Sequence, residues 1–304
     1  MSTVSSPLFS RHISVLILLT VGCCFASAHI AARISFDHGT GLVTAVFFRS
    51  GVCLLLLSLI AIVHRQSLTM SWKTAPWQLA LGLLIVIQSL SIYAAVARIP
   101  VGIALLAGNT FPAQLALIAW ALGGSAPSRK AALLMGFILI GLLLALDIPT
   151  LIQSDMGNIQ QWVIGVGFSL FAAFTFAIGL WITENKLRHL KGGTRSFYTM
   201  LTVLCFSFFV GQTEVLFGKL TWPTDWVGWG TLTLLACLYS GGFTTLFMLA
   251  PRLNLSQNAP AMNIEPIASL SLGWLILGQA LNPIQILGGA VVVSCIMAFA
   301  YVRK

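Results

Sequence analysis

The chain has 304 residues, 58% of them hydrophobic and only 8% charged, with a formal net charge of +9 and a mean hydropathy of +0.96. A soluble domain carries roughly 25% charged residues, so this chain cannot cover itself with water-facing groups, and a water-soluble fold is excluded. On a soluble protein the basic excess would suggest nucleic acid, but here it lies mostly between apolar runs, where membrane topology accounts for it and no nucleic-acid partner is expected.

Long apolar runs with short polar gaps predict helices, because lipid cannot satisfy a bare backbone. A bilayer core about 30 Å thick needs about 20 residues per span. The first span, near 13–33, follows Arg11 and ends past Ala26-Ser27-Ala28, which resembles a signal-peptide cleavage site. Retention is the expected reading, since cleavage would leave an unpaired set of nine spans. Late in this span lies His29, which reads either as a satisfied interfacial histidine or as a group titrating near neutrality.

The second span, near 41–63, carries Arg49, and the third, near 77–97, carries Gln88, Ser91 and Tyr93. The fourth, near 101–122, carries Asn109, Pro112 and Gln114, and the fifth runs near 130–147. Five more follow near 162–184, 196–216, 226–250, 256–277 and 284–302. The ninth carries Asn263, Glu265 and Pro266. Trp162 and Trp181 read as interface anchors, and Glu214 as a wetted acid. Gln88 and Gln114 are expected to face the interior, because an amide facing lipid is expensive.

With the N-terminus inside, twelve basic residues fall in inner segments and only Arg33, Arg98 and Lys219 in outer ones. The positive-inside rule then places both termini in the cytoplasm of a multi-pass protein of the inner membrane.

A shift of 154 residues lays the chain on itself without a gap. Arg98 falls on Arg252, Ala107 on Ala261, Asn109 on Asn263, Pro112 on Pro266, Trp120 on Trp274 and Gly124 on Gly278. Five spans is an odd number, so the second set enters the membrane the other way up. The expected fold is therefore an all-α integral membrane protein of ten transmembrane helices, built as two inverted five-helix repeats over 13–148 and 162–302. Two related halves able to rock about one site mark a transporter candidate.

The stretch YAAVARIPVGIALLAGNTFPAQLALIAWALGG from Tyr93 resembles the end of the first repeat of an EamA-type transporter, of the drug/metabolite transporter superfamily. FFRSGVCLLLL at 47–57 resembles that family's second span, and MNIEPIASLSLGWLILGQALNPIQILGGAVVV at 262–293 its closing spans. The resemblance implies two repeats and small-molecule export, with substrates that range over amino acids, nucleotide-related metabolites and drugs. Gln279 stands where the family often has a glutamate after the glycine, and Gly124-Ser125 lacks that acid too.

A charge in the bilayer interior costs roughly 3 kcal/mol even on the mild scale, so Arg49 and Glu265 stand out. At about 1.5 Å rise per residue, each lies near the midplane. They read either as a structural ion pair or as flanks of a substrate site. Glu265 is the strong proton-carrier candidate, with His29 second. Pro112 and Pro266 each remove a backbone donor near the middle of a span. Asn109 and Asn263, one turn earlier, could satisfy freed backbone groups or bind substrate. Broken helices at matched positions point to a transport site. The expected site residues are thus Arg49, Gln88, Tyr93, Asn109, Pro112, Gln114, Asn263, Glu265 and Pro266.

A mixed-charge midplane suits a zwitterion, so the expected function is alternating-access transport of an amino acid or similar metabolite, with protons as the candidate coupling ion. The alternative is a drug or nucleotide-related exporter of the same fold. A membrane enzyme would need convergent acids, histidines or a nucleophile at one interface, and the five histidines are scattered. No nucleotide-binding loop is present. The six cysteines lie in apolar runs without metal-site spacing and read as packing residues. No cofactor or metal is expected, and the chain reads as a monomer.

Overall fold

The computed structural model describes residues 9–124, 126–146, 156–213, 217–249, 252–253 and 264–302. Asn263, Glu214, Arg303 and Lys304 lie outside them. The described residues form helices and connecting turns, with no strand among them. In chain order the helices are α1 (Arg11–Asp37), α2 (Leu42–Val63), α3 (Ala75–Val96), α4 (Val101–Gly108), α5 (Phe111–Ala121), α6 (Arg129–Leu146), α7 (Met156–Asn185), α8 (Gly192–Gly211), α9 (Trp226–Leu249), α10 (Ile264–Leu277) and α11 (Pro283–Val302). Seven helical units, with the broken α4–α5 run counted as one, are long and apolar enough to cross a membrane. α10 and the 283–298 part of α11 are shorter apolar helices.

Local chemistry sets the helix starts. The Ser10 hydroxyl accepts from the Ile13 N–H to cap α1. Proline occupies the first turn of α3 and of α5, where its missing N–H costs nothing. Asn282 and Gln285 exchange side chain for backbone, Gln285 N–H to Oδ1 at 2.9 Å and Asn282 N–H to Oε1 at 3.2 Å, a capping box for α11. Asn109 and Thr110 separate α4 from α5.

The helices are apolar all round, so apolar side chains both fill the core and lie on the outside, while many hydroxyls are drawn inward. Leu55, Leu59, Ile62, Leu139 and Leu143 are exposed, toward where lipid would lie, while Ser50, Ser89, Ser91, Ser169, Ser207 and Ser269 are fully buried. Glycines let backbones close together inside. A Cβ on Gly102 of α4 would strike the Leu270 side chain of α10, and one on Gly288 of α11 would strike the Ala145 amide and Gly141 carbonyl of α6.

Most of the packing joins the first half of the chain to the second, in matched pairs. α1 packs on α9 and α10; α7 packs on α3 and α4. α2 packs on α8 and α9; α8 packs on α2 and α3. α6 packs on α11. Hydrogen bonds group the connections at two ends. At one end the close of α1 meets the close of α3, through the Arg33 guanidinium on the Val96 and Ala97 carbonyls, and also the start of α9. At the other, the α2–α3 loop meets the joint between α7 and α8.

Candidate functional site

Arg49, in α2, is 4% exposed. Its guanidinium donates to the Tyr93 hydroxyl at 3.0 Å and to Ser89 Oγ at 2.6 Å, both on α3. Its planar face lies over two rings, with Cζ 4.0 Å from the centre of Tyr239 on α9 and 4.7 Å from that of Tyr93. Flat, delocalised and weakly hydrated, a guanidinium tolerates such a setting better than an ammonium would. Ser89 passes its own hydrogen bond to Gln88 Oε1 at 3.3 Å.

Tyr93 joins this cation to a second charged group. Its ring meets His29 of α1 edge-on, with centroids 5.7 Å apart. His29 Nε2 stands 3.7 Å from Glu265 Oε1, with side chains 13% and 18% exposed. His29 Nδ1 is buried without a hydrogen-bond partner. Phe25 and Phe243 pack on Tyr239, each at 5.7 Å, and close the aromatic side. Five helices, α1, α2, α3, α9 and α10, therefore bring a positive end and a negative end to one place, with Tyr93 between them.

The direct ion pair between Arg49 and Glu265 is not formed. Among the described residues Glu265 pairs with His29, and no carboxylate lies within 4 Å of Arg49. A count of residues along each span sets the two charges at an expected common depth, but lateral neighbours are set by packing. α10 packs on α1 and α4 while α2 packs on α8 and α9, so α1, with His29, stands beside α10. His29 is accordingly inside the cluster.

Pro112 lies in the first turn of α5, just after the α4–α5 break, and Pro266 lies in the first turn of α10, whose preceding residues are outside the described set. Asn109 donates through Nδ2 to the Leu105 carbonyl of its own helix at 2.8 Å. It serves the backbone, and does not join the Arg49 cluster. Gln114 faces inward, to Thr110 Oγ1 at 3.1 Å and the Leu170 carbonyl of α7 at 3.4 Å. Asn263 lies outside the described residues. Gln279 gives its Oε1 to the Val101 N–H at 3.1 Å, capping α4, which a glutamate there could also do.

Ser89 was invisible in the sequence because serine is common in these helices. Tyr239 carried a signal, as one of only four tyrosines, but not its pairing with Arg49. No group of three metal-binding side chains occurs among the described residues.

The EamA-like transporter family matches residues 12–146 and 163–301. An uncharacterized transporter of Synechocystis sp. is 23% identical across 94% of this chain and 93% of its own length. A solved crystal structure, 16% identical, superposes with a TM-score of 0.62 over 97% of this chain and 100% of its own, a likeness of fold.

Proposed function

The chain belongs to the EamA-like transporter family, and from that premise we propose that it is a secondary transporter that moves an amino acid or related zwitterion outward across the cytoplasmic membrane by alternating access. The observation that carries the substrate class is the charge-separated cluster. Arg49 is a buried cation held by hydroxyls and ring faces, with no carboxylate within 4 Å among the described residues. A buried charge without a counterion is costly, and a substrate carboxylate on its fork would supply one. Glu265, through His29, offers the complementary negative end and is the proposed proton carrier.

The matched packing of α1 on α9 with α7 on α3 supports two inverted five-span repeats and ten spans in all, with α4–α5 as one broken span. The distribution of charge supports cytoplasmic termini: Arg33, Arg98 and Lys219 are the basic residues of the end where α1 meets α9, and most others lie toward the opposite end.

The test is uptake of radiolabelled amino acids into proteoliposomes, with and without a pH gradient. The reading requires saturable flux of at least one zwitterion, reduced by Arg49→Gln. Flux of organic anions or cations only, with none of any amino acid, would overturn it.

A further inference from the structure

Two corners of the bundle, at opposite ends, carry the same arrangement. At one, His38 closes α1 and sets Nδ1 2.6 Å from a carboxylate oxygen of Asp225, the residue before α9. At the other, His189, in the joint between α7 and α8, sets Nε2 3.2 Å from the hydroxyl of Thr74, the residue before α3. Each time, a histidine between the first two helices of one half meets the residue that opens the third helix of the other half. The likeness extends to the packing. A Cβ on Gly41, at the start of α2, would stand 2.5 Å from Thr221 Oγ1, and one on Gly193, at the start of α8, 2.8 Å from Gln66 Oε1.

Both corners are polar ties between the halves. Around His38, the Gly41 N–H donates to the Thr221 carbonyl at 2.9 Å, the Thr224 N–H to the His38 carbonyl at 3.1 Å, and Ser35 Oγ to the Gly228 carbonyl at 3.2 Å. Around His189, Thr194 donates to the Ser67 carbonyl at 3.4 Å and Tyr198 to the Leu68 carbonyl at 3.0 Å. Opening either end requires its corner to part.

We infer that His38–Asp225 and His189–Thr74 are matched latches that shut opposite ends of the bundle, so that loosening one favours the form open at that end and closed at the other. The inference rests on the alternating-access reading above and adds its gating residues. The two latches differ in chemistry. The first histidine faces a carboxylate and the second a hydroxyl, so a protonated imidazole makes an ion pair at the first corner and none at the second. Other charges at the first corner are Arg33 and Asp37, 3.3 Å apart on α1, Lys219 before α9, and Arg98 beyond α3, which donates to the Ala94 carbonyl. The second corner carries Glu184, Lys186, Arg188, Lys191 and Arg195 on the histidine's side and His64, Arg65 and Lys73 on the facing side. Acidification of the first face thus tightens its latch alone.

Hydrogen exchange of the full chain in lipid nanodiscs reads both corners at once, with rates corrected for intrinsic pH dependence. Between about pH 7.5 and pH 5.5, segments 36–41 and 219–226 should slow about three-fold, the scale of an exposed ion pair. Segments 64–75 and 187–194 should quicken. Asp225→Asn keeps an acceptor for the Gly228 N–H, so α9 stays capped. It should abolish the pH response, speed its own corner about three-fold and slow the other. His38→Gln, uncharged throughout, should do the same, and Thr74→Asp should give the second corner a pH response of its own. Faster exchange at one corner with no slowing at the other, or at both corners together, overturns the latches. So does a pH response that survives Asp225→Asn. Flux by the same purified protein in proteoliposomes separates the two claims: reciprocal exchange without amino-acid flux overturns the substrate reading alone, and flux without reciprocity overturns the latches alone.

Discussion

Glu265 is paired with His29 and not with Arg49, which fixes the outcome of a double-mutant cycle. The perturbations are Glu265→Gln, His29→Gln and Arg49→Gln, with the two double variants that contain Glu265→Gln. His29 Nε2 and Glu265 Oε1 stand 3.7 Å apart, with side chains 13% and 18% exposed, so removal of either leaves a mostly buried polar partner unmatched. An unmatched buried polar group costs about 1–3 kcal/mol, so the two losses should couple by about 1–2 kcal/mol. Arg49 makes its contacts with Tyr93, Ser89 and Tyr239, so its coupling to Glu265 should stay within about 0.5 kcal/mol. The assay is thermal unfolding in detergent, where 1 kcal/mol moves the midpoint by about 2–4 °C in chains of this order of size. The His29/Glu265 double variant should be a few degrees more stable than the sum of its single losses, and the Arg49/Glu265 double variant should equal the sum. Rescue of Arg49→Gln by Glu265→Gln, with additivity between His29 and Glu265, would refute the pairing.

Further outcomes follow from other contacts. Arg49→Lys keeps the charge but loses the planar fork, so KM for an amino acid should rise roughly 10- to 100-fold with the fold retained; unchanged KM in proteoliposomes would move the carboxylate site elsewhere. Gly288→Ala pushes α11 off the α6 backbone and should cost about 1–3 kcal/mol, read as a lower unfolding midpoint. Gln279→Ala leaves the Val101 N–H without its acceptor and should cost about 1 kcal/mol, while Gln279→Glu should stay near wild type. The Gly228 N–H, and then His38, hold the Asp225 carboxyl below its usual range. Its stabilising effect is therefore present at neutral pH and lost as pH falls through that lowered value. Unfolding midpoints measured against pH should decline less steeply on the acid side in Asp225→Asn than in wild type.

The membrane environment, the helical class and the family were legible in the sequence, because each rests on composition and linear order. Lipid forbids unsatisfied backbone, so apolar length alone predicts helix, and a break at Pro112 follows from a missing N–H. The singular residues were legible too: Arg49, Tyr93, Glu265 and His29 are conspicuous where charge and polarity are rare. What linear order could not supply was who faces whom. These helices are apolar on every side, so no periodic stripe tells the buried face from the lipid face. Residue counts put Arg49 and Glu265 at an expected common depth, yet α1 beside α10 gives Glu265 to His29, and α3 and α9 give Arg49 two hydroxyls and two rings. The sequence left Asn109 either to satisfy freed backbone groups or to bind a ligand, and only the structure showed its amide on the Leu105 carbonyl of its own helix. His38 and Asp225 are 187 residues apart, and His189 and Thr74 are 115 apart. Only the crossing of the two halves in space makes them neighbours, because a side-chain bond depends on a few ångströms of lateral placement that no spacing along the chain encodes.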